Sequence, residues 1–153
     1  MPTLSGFHPY DGTFIEQPAQ IVASLAAVPG MVLSAENAGT TGSLDVGVTD
    51  DFMSAVYCDK PITSSDSDYA SIKTRNVWMI QHEATQLWKA RVSSGTPATA
   101  TEVWDYADVV SGGLTLTLAD TNKDFRITKV LDGTANNGVV VGYFPAYTAE
   151  PSA

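Results

Sequence analysis

Hydrophobic and polar residues alternate along a stretch near the end of the chain, residues 125–131. A β-branched and aromatic run follows at residues 139–144. The segment between them is rich in Asp, Asn and Gly, which accept the positive φ angles of tight turns. Strands with a period of two that flank such a turn are typical of a hairpin. The pattern therefore predicts an antiparallel hairpin over residues 125–144, with a positive φ at Gly138.

Shorter segments of the same type recur from residue 31 onward, and they set the fold class. Six strands at short and even spacing from residue 77 predict a mainly β protein, a small antiparallel β-barrel or β-sandwich. Helix is expected to be minor and to lie mainly before residue 77. Residues 21–28 and 52–57 are too short for periodicity to decide between helix and strand. Besides the hairpin, the predicted strands are residues 31–33, 44–48, 77–81, 87–92, 102–106 and 114–118.

Residues 1–20 differ from the rest because proline and glycine interrupt them throughout. We expect an irregular, extended N-terminal arm over residues 1–20, followed by a single β domain over residues 21–153. Disordered tails contain few aromatic residues, so this arm is expected to dock on its own domain or on a neighbour. Because the strands after residue 77 would be untouched, a chain that lacks the arm is expected to fold. The candidate contact residues of the arm are Phe7, Tyr10, Phe14 and Ile15.

The charge of the chain argues against several partners. The formal net charge is -9 and the sequence pI is about 4.3, with only eight Lys and Arg residues scattered along the sequence. Nucleic acids and acidic lipid surfaces require a concentrated basic face, so neither is expected to bind. The longest apolar-leaning segment, residues 21–33, is shorter than a membrane span, and no basic region precedes an apolar run at the N-terminus. We expect a soluble protein.

Residues with catalytic chemistry are few. Cys58 is the one cysteine, so no disulfide framework can form within the chain, and we expect a small buried hydrophobe there. His82-Glu83 begins like the zinc-protease helix motif, but that motif needs a second His at the position of Gln86. We therefore expect His82-Glu83 to lie at the end of a strand and in a turn.

Two acidic clusters invite comparison with functional sites. Asp120, Asn122 and Asp124 alternate as oxygen ligands do in calcium loops, yet Phe125 and Leu131 replace the Gly and the Glu that such a loop requires. We expect an ordinary turn. The second cluster is expected to be a solvated acidic face rather than a pair of glycosidase carboxylates; its members are Glu102, Asp105 and Asp108. The sequence thus predicts no enzyme, no cofactor and no metal.

Three tryptophans, Trp78, Trp88 and Trp104, leave two interpretations open. Such residues most often fill a core or an interface. They could also form a platform on which sugar rings stack. A buried position would favour a structural protein, and an exposed position in a concave patch would favour a surface-binding module.

Two segments of the chain carry a resemblance to a known family. Val28-Pro29-Gly30-Met31-Val32-Leu33, a turn that leads into a strand, resembles the opening of tailed-bacteriophage capsid decoration (cement) proteins, and residues 125–144 resemble their end. The resemblance implies a small β-barrel or β-sandwich that forms a homotrimer on the outer surface of an icosahedral capsid. Residues 1–27 and 59–75 depart from that family.

The resemblance also implies partners and a location. The partners would be the major capsid protein and further copies of this chain. Independently of the resemblance, the four large apolar residues of the arm are expected to contact one of these partners, because a free tail would leave them exposed. The protein would be made in the host cytoplasm and would reside on the capsid exterior of the virion. The alternative is a β-sandwich surface-binding module that recognises carbohydrate or a receptor, as head fibres do.

Overall fold

The computed structural model describes residues 5–35, 42–47, 52–118 and 121–146, and β-strands dominate it. These ranges contain eleven strands and one four-residue helix. The mainly β class predicted from the sequence is confirmed. The helix lies after residue 77, so its predicted placement before that residue is wrong. Val48 and Asp120, which the sequence predictions name, lie outside the described residues.

The elements are numbered in chain order. The helix α1 is Thr99–Glu102. The strands are β1 His8–Asp11, β2 Glu16–Ile21, β3 Val32–Ser34, β4 Ser43–Val46, β5 Ala55–Tyr57, β6 Lys73–Met79, β7 Leu87–Ser94, β8 Tyr106–Val110, β9 Thr115–Thr117, β10 Phe125–Asp132 and β11 Gly138–Tyr143.

The first half of the chain forms a closed barrel with the strand order β2-β4-β3-β5-β6. Its neighbours pair antiparallel except β2 and β4, which are parallel. The barrel interior is filled by apolar side chains from every strand. These include the fully buried Ile21, Leu33, Tyr57 and Val77, with Leu44 partly buried beside them.

Strands β7–β11 of the second half, together with β1, form the second sheet. Its strand order is β1-β7-β11-β10-β8-β9, and β9 pairs again with β7 in parallel. That last pairing closes β7, β11, β10, β8 and β9 into a ring, and β1 is added on the edge of β7. Closure leaves few strand edges exposed.

The two barrels have the same connectivity, although the sequence shows no internal repeat. In each, the first strand pairs in parallel with the third, and the third pairs antiparallel with the second. The second then pairs with the fourth, the fourth with the fifth, and the fifth with the first, all antiparallel. Strands β2–β6 therefore correspond one to one with β7–β11.

The barrels share a hydrophobic core. Val32 and Val56 of the first barrel belong to the same buried cluster as Trp88 and Phe125 of the second. The backbone N–H of Val32 donates to the carbonyl of Gly113 at 2.9 Å. A Cβ on Gly113 would lie 2.7 Å from the Val32 carbonyl oxygen, so only glycine permits this approach.

Residues 8–11 and 16–21 form strands, and this corrects the prediction of an irregular arm. Strand β1 pairs with β7 of the second barrel, and β2 pairs with β4 and β6 of the first. The predicted boundary at residue 20 falls inside β2. Both strands contain a proline, Pro9 in β1 and Pro18 in β2. Proline is tolerated in a strand where its edge carries no ladder hydrogen bond.

Two further strand predictions require correction. The strand predicted at residues 102–106 lies instead at β8, because Trp104 adopts a φ of 71° that a strand cannot contain. Of residues 21–28, only Ile21 belongs to a strand, and the remainder form turns and loop. Residues 52–57, which the sequence left open, contribute β5.

The predicted hairpin is confirmed as β10 and β11, but its turn differs in detail. Asn136, not Gly138, has the positive φ, of 56°. Gly138 is required for a different reason, since a Cβ there would lie 2.4 Å from Cγ of Pro97 and 2.6 Å from the carbonyl oxygen of Asp132.

Replacement of Gly138 by valine is expected to destabilise the protein by about 1–3 kcal/mol, because the side chain must displace backbone atoms. Urea unfolding followed by circular dichroism measures the loss. The control is Asn137→Val at the neighbouring exposed position, where the change in stability should stay within about 0.5 kcal/mol. Equal midpoints for the two variants would show that Gly138 is not closely packed.

Candidate binding surface

The outer face of β7 carries positive charge. Trp88, Ala90 and Val92 are fully buried in the core. Because side chains alternate between the two faces of a strand, Lys89 and Arg91 point away from that core. Both are partly exposed.

The strand register brings two more cations onto the same face. Lys89 lies opposite Val141, which lies opposite Lys129 on β10. Arg126 lies opposite Tyr143 on one side and Tyr106 on the other. We call the surface formed by Lys89, Arg91, Arg126 and Lys129 the cationic face. It gathers four of the eight basic residues, which are scattered along the sequence.

Aromatic rings lie among these cations. The guanidinium carbon of Arg126 is 4.9 Å from the ring centroid of Tyr106 and 5.6 Å from that of Trp104. Lys123 Nζ is 5.5 Å from the centroid of Tyr106. These distances are within the range of cation–π attraction. A face of this composition can contact both anionic groups and flat apolar surfaces.

Trp104 projects at the rim of this face and is 58% exposed. Its backbone holds the uncommon positive φ through two contacts: its N–H donates to the carbonyl of Ile127 at 2.6 Å, and its carbonyl accepts from Nε of Arg126 at 3.2 Å. A large residue in a sparsely populated conformation, kept there by neighbouring bonds, is a feature often found at binding sites.

The cationic face is not neutralised by ion pairs within the described residues. The ion pair that the described residues do contain lies away from this face. It joins Arg75 to Asp68 in the first barrel, with 2.8 Å between nitrogen and oxygen. Two acidic residues lie in register at the margins of the cationic face: Asp11 is opposite Leu87, and Asp132 is opposite Val139. The Thr134 hydroxyl and backbone N–H, which donate to its carboxylate, lower the pKa of Asp132 and keep it ionised.

Charge divides unevenly between the halves of the sequence. Residues 1–86 contain three Lys or Arg residues against ten Asp or Glu, whereas residues 87–153 contain five against seven. The cationic face therefore stands out on a protein that is acidic elsewhere. Such separation favours oriented association with a charged surface.

The four predicted contact residues of the N-terminal segment fall into two groups. Phe7 is fully buried, with its ring centroid 5.6 Å from that of Phe125, so the expectation that it contacts another subunit is wrong. Phe14 is partly buried against Trp88, with the two ring centroids 4.8 Å apart. Tyr10 and Ile15 are 42% and 50% exposed. The Tyr10 hydroxyl lies 3.5 Å from Nζ of Lys129, at the edge of the cationic face.

His82 lies in the loop between β6 and β7, directly before a turn. Its ring stacks on Phe52 with centroids 4.5 Å apart, and Nδ1 is 3.2 Å from the carbonyl oxygen of Pro145. Burial lowers the pKa of His82, so its imidazole is neutral at pH 7.

Cys58 is half-buried, which corrects the expectation of a buried hydrophobe. Burial, followed by the nearby carboxylates of Glu16 and Asp59, raises the pKa of Cys58 to about 11. The thiol is therefore protonated at neutral pH, and a protonated thiol is a poor nucleophile.

Asp108 and Asp124 use their carboxylates to hold backbone amides. Asp124 Oδ2 accepts from the N–H of Val109 at 2.9 Å, and Asp108 Oδ1 accepts from the N–H groups of Asn122 and Lys123 at 3.0 and 3.2 Å. Both are buried, so Asp108 does not belong to a solvated face. Within the described ranges no group of three His, Cys, Asp or Glu residues is placed to hold a metal ion.

The structural role of Gln86, which is 1% exposed, is not apparent from the sequence. Its Oε1 accepts from the N–H of Gln81 at 2.9 Å and from the indole N–H of Trp88 at 3.2 Å. Its Nε2 donates to the carbonyls of Thr13 at 3.1 Å and Met79 at 2.9 Å. One amide thus ties the N-terminal segment to both barrels.

Comparison with protein-family models, with curated proteins and with solved structures gives no match. Among the residues that the structure describes, no helix has the length and apolar character needed to cross a membrane.

Proposed function

We propose that the protein is a structural component of a bacteriophage virion, a decoration protein that binds the outer surface of an icosahedral capsid and stabilises it. The single observation that carries the proposal is the cationic face, where Lys89 and Lys129 flank Val141 and no described carboxylate pairs with either. Such a face suits attachment to an acidic protein surface. The partners are the major capsid protein and two further copies of this chain in a homotrimer.

The cationic face can contribute to capsid binding through charge complementarity and through multivalency. Complementary charge steers association and fixes orientation, although each exposed pair adds little affinity. A trimer presents three copies of the face, so binding to a repeating lattice gains from effective concentration without new contacts. Tyr10 and Ile15 are the exposed members of the predicted contact set and supply apolar area.

A double charge reversal, Lys89→Glu with Lys129→Glu, is expected to weaken capsid binding at least about tenfold. The experiment is co-sedimentation of the purified protein with undecorated capsids at low and at 0.5 M salt. Binding by the unaltered protein should weaken with salt, because screening shortens the range of these charges.

The matched control is Lys60→Glu, which reverses an exposed charge on the first barrel. It should bind as the unaltered protein does. Equal binding by the double variant and the control would show that the cationic face does not contact the capsid.

The second candidate, a surface module that binds carbohydrate or a receptor, is favoured by the exposure of Trp104. Trp88 lies in the core and Trp78 packs against it, so neither can form a platform. Replacement of Trp104 by alanine should abolish glycan binding under this alternative while leaving capsid co-sedimentation largely intact. A panel of immobilised glycans separates the two functions.

A further inference from the structure

The first half of β7 has a strand on each side. One edge pairs with β11 throughout, since Trp88 lies opposite Gly142 and Val92 opposite Gly138. On the other edge, β9 pairs only from Val92 onward, and β1 occupies the earlier positions, with Pro9 opposite Trp88. Strand β1 therefore pairs with the part of this β7 edge that β9 does not reach.

The residue before β1 also enters the core. Phe7 is fully buried, and its ring centroid lies 5.3 Å from that of Phe144. Its N–H donates to the carbonyl of Gly30 at 2.8 Å. The added strand thus supplies both ladder hydrogen bonds and an apolar anchor.

The described strands of the first barrel include none at the equivalent position. Strand β2, which corresponds to β7, pairs along one edge with β6 over its whole length. On the other edge β4 pairs only with Gln20 and Ile21. Within the part of the chain that the structure describes, no strand lies beside residues 16–19 on that edge.

A cavity of about 340 Å³ opens at this place. Ala19, Leu44 and Met79 give it an apolar floor that continues into the barrel core. Gln17, Gln20 and Ser54 give it a polar rim. This arrangement suits a ligand with an apolar group and a polar backbone.

The backbone of β2 is oriented for pairing at this edge. The N–H of Met79 donates to the carbonyl of Ile15 at 2.9 Å, so Ile15 faces β6 and the next residue, Glu16, faces away. On the same edge the N–H of Val22 donates to Leu44 at 3.0 Å. Both backbone groups of Glu16 and the carbonyl of Pro18 therefore point toward the opening.

We propose that this opening is a strand-acceptor site, in which an extended segment of a partner protein adds antiparallel to β2 and places an apolar side chain in the cavity. The chain itself shows the mode of binding, since β1 with Phe7 fills the corresponding position of the other barrel. Addition of an extended peptide to an open strand edge is a known form of recognition. The inference rests on the topology of the two barrels and not on the proposed capsid role.

The test uses a synthetic peptide copying residues 5–14, the segment that completes the second barrel. Titration of the isotope-labelled full-length protein to millimolar peptide, followed by amide chemical shifts, reports where the peptide binds. We expect saturable changes at Gln17, Ala19, Gln20 and Ser54. Absence of saturable changes, or changes confined to Leu87–Lys89, where the peptide would replace β1, overturns the proposal.

A matched pair of variants isolates the strand edge. Glu16→Pro removes the N–H that faces the opening, whereas Glu16→Ala keeps it, and both lose the side-chain bond from Asn76 at 2.9 Å. The peptide affinity should fall at least tenfold for Glu16→Pro and less than twofold for Glu16→Ala. Ala19→Leu, which fills the cavity, should give the same loss and replaces Glu16→Pro should that variant not fold. Equal peptide affinity in the blocking variant and Glu16→Ala overturns the proposal.

Discussion

A chain that begins at Ile21 is expected to remain unfolded. The truncation removes β1 and almost all of β2, so each barrel loses a strand. It also removes Phe7, which is fully buried, and Phe14, which packs on Trp88. This reverses the expectation from the sequence that the chain without residues 1–20 would fold, because burial and pairing decide whether a truncation is tolerated.

Circular dichroism and urea unfolding of the truncated chain check this expectation, and two point variants of the full chain refine it. Phe7→Ala should cost about 3–5 kcal/mol, as a buried aromatic truncation does. Tyr10→Ala, at an exposed position of the same segment, should cost less than about 1 kcal/mol. A cooperative unfolding transition in the truncated chain would show that the barrels fold without residues 1–20.

Gln86→Leu is expected to lower the free energy of unfolding by about 4 kcal/mol, because a buried polar group that loses its partner costs about 1–3 kcal/mol. Four groups lose a partner together: the Gln81 N–H, the Trp88 indole N–H and the carbonyls of Thr13 and Met79. The midpoint of urea unfolding measures the loss.

The same substitution at Gln81 serves as the control. Its side chain is only partly buried, and the bond that it shares with Gln86 uses the backbone N–H, which Gln81→Leu retains. That control should stay within about 0.5 kcal/mol of the unaltered protein. An equally small loss of stability for Gln86→Leu would show that water hydrogen-bonds the four groups and that the Gln86 amide is not needed to hold them.

Local patterning was sufficient for the elements with uninterrupted alternation. The hairpin of β10 and β11 and the strands near residues 77 and 87 follow from β-branched and aromatic residues between turn signals. It failed where prolines lie on open strand edges, as Pro9 and Pro18 do, since a proline inside a run argues against a strand. It also failed at Trp104, whose aromatic side chain favours a strand while its backbone adopts a positive φ.

The binding surface and the acceptor site could not be predicted from the sequence because both depend on long-range register. Lys89 and Lys129 are forty positions apart and meet only because Val141 pairs with both. The common connectivity of the barrels likewise exists in the pairings and not in the residue types. Gln86 stands where the zinc-protease motif would have its second His, four residues after His82. Nothing in the sequence indicates the four groups that its amide joins.

Strand β1 is synthesised before the first barrel and its partner β7 after it, and this order affects how the protein can assemble on the ribosome. The strands of the first barrel end at residue 79, so that barrel can close while later residues are still being synthesised. Strand β1 must wait for the end of β7 at residue 94. The 15 residues between those two points take roughly 0.8–3 s at about 5–20 residues per second. During this interval Phe7 is without its final core, and among the described residues no strand occupies the edge of β2 at residues 16–19.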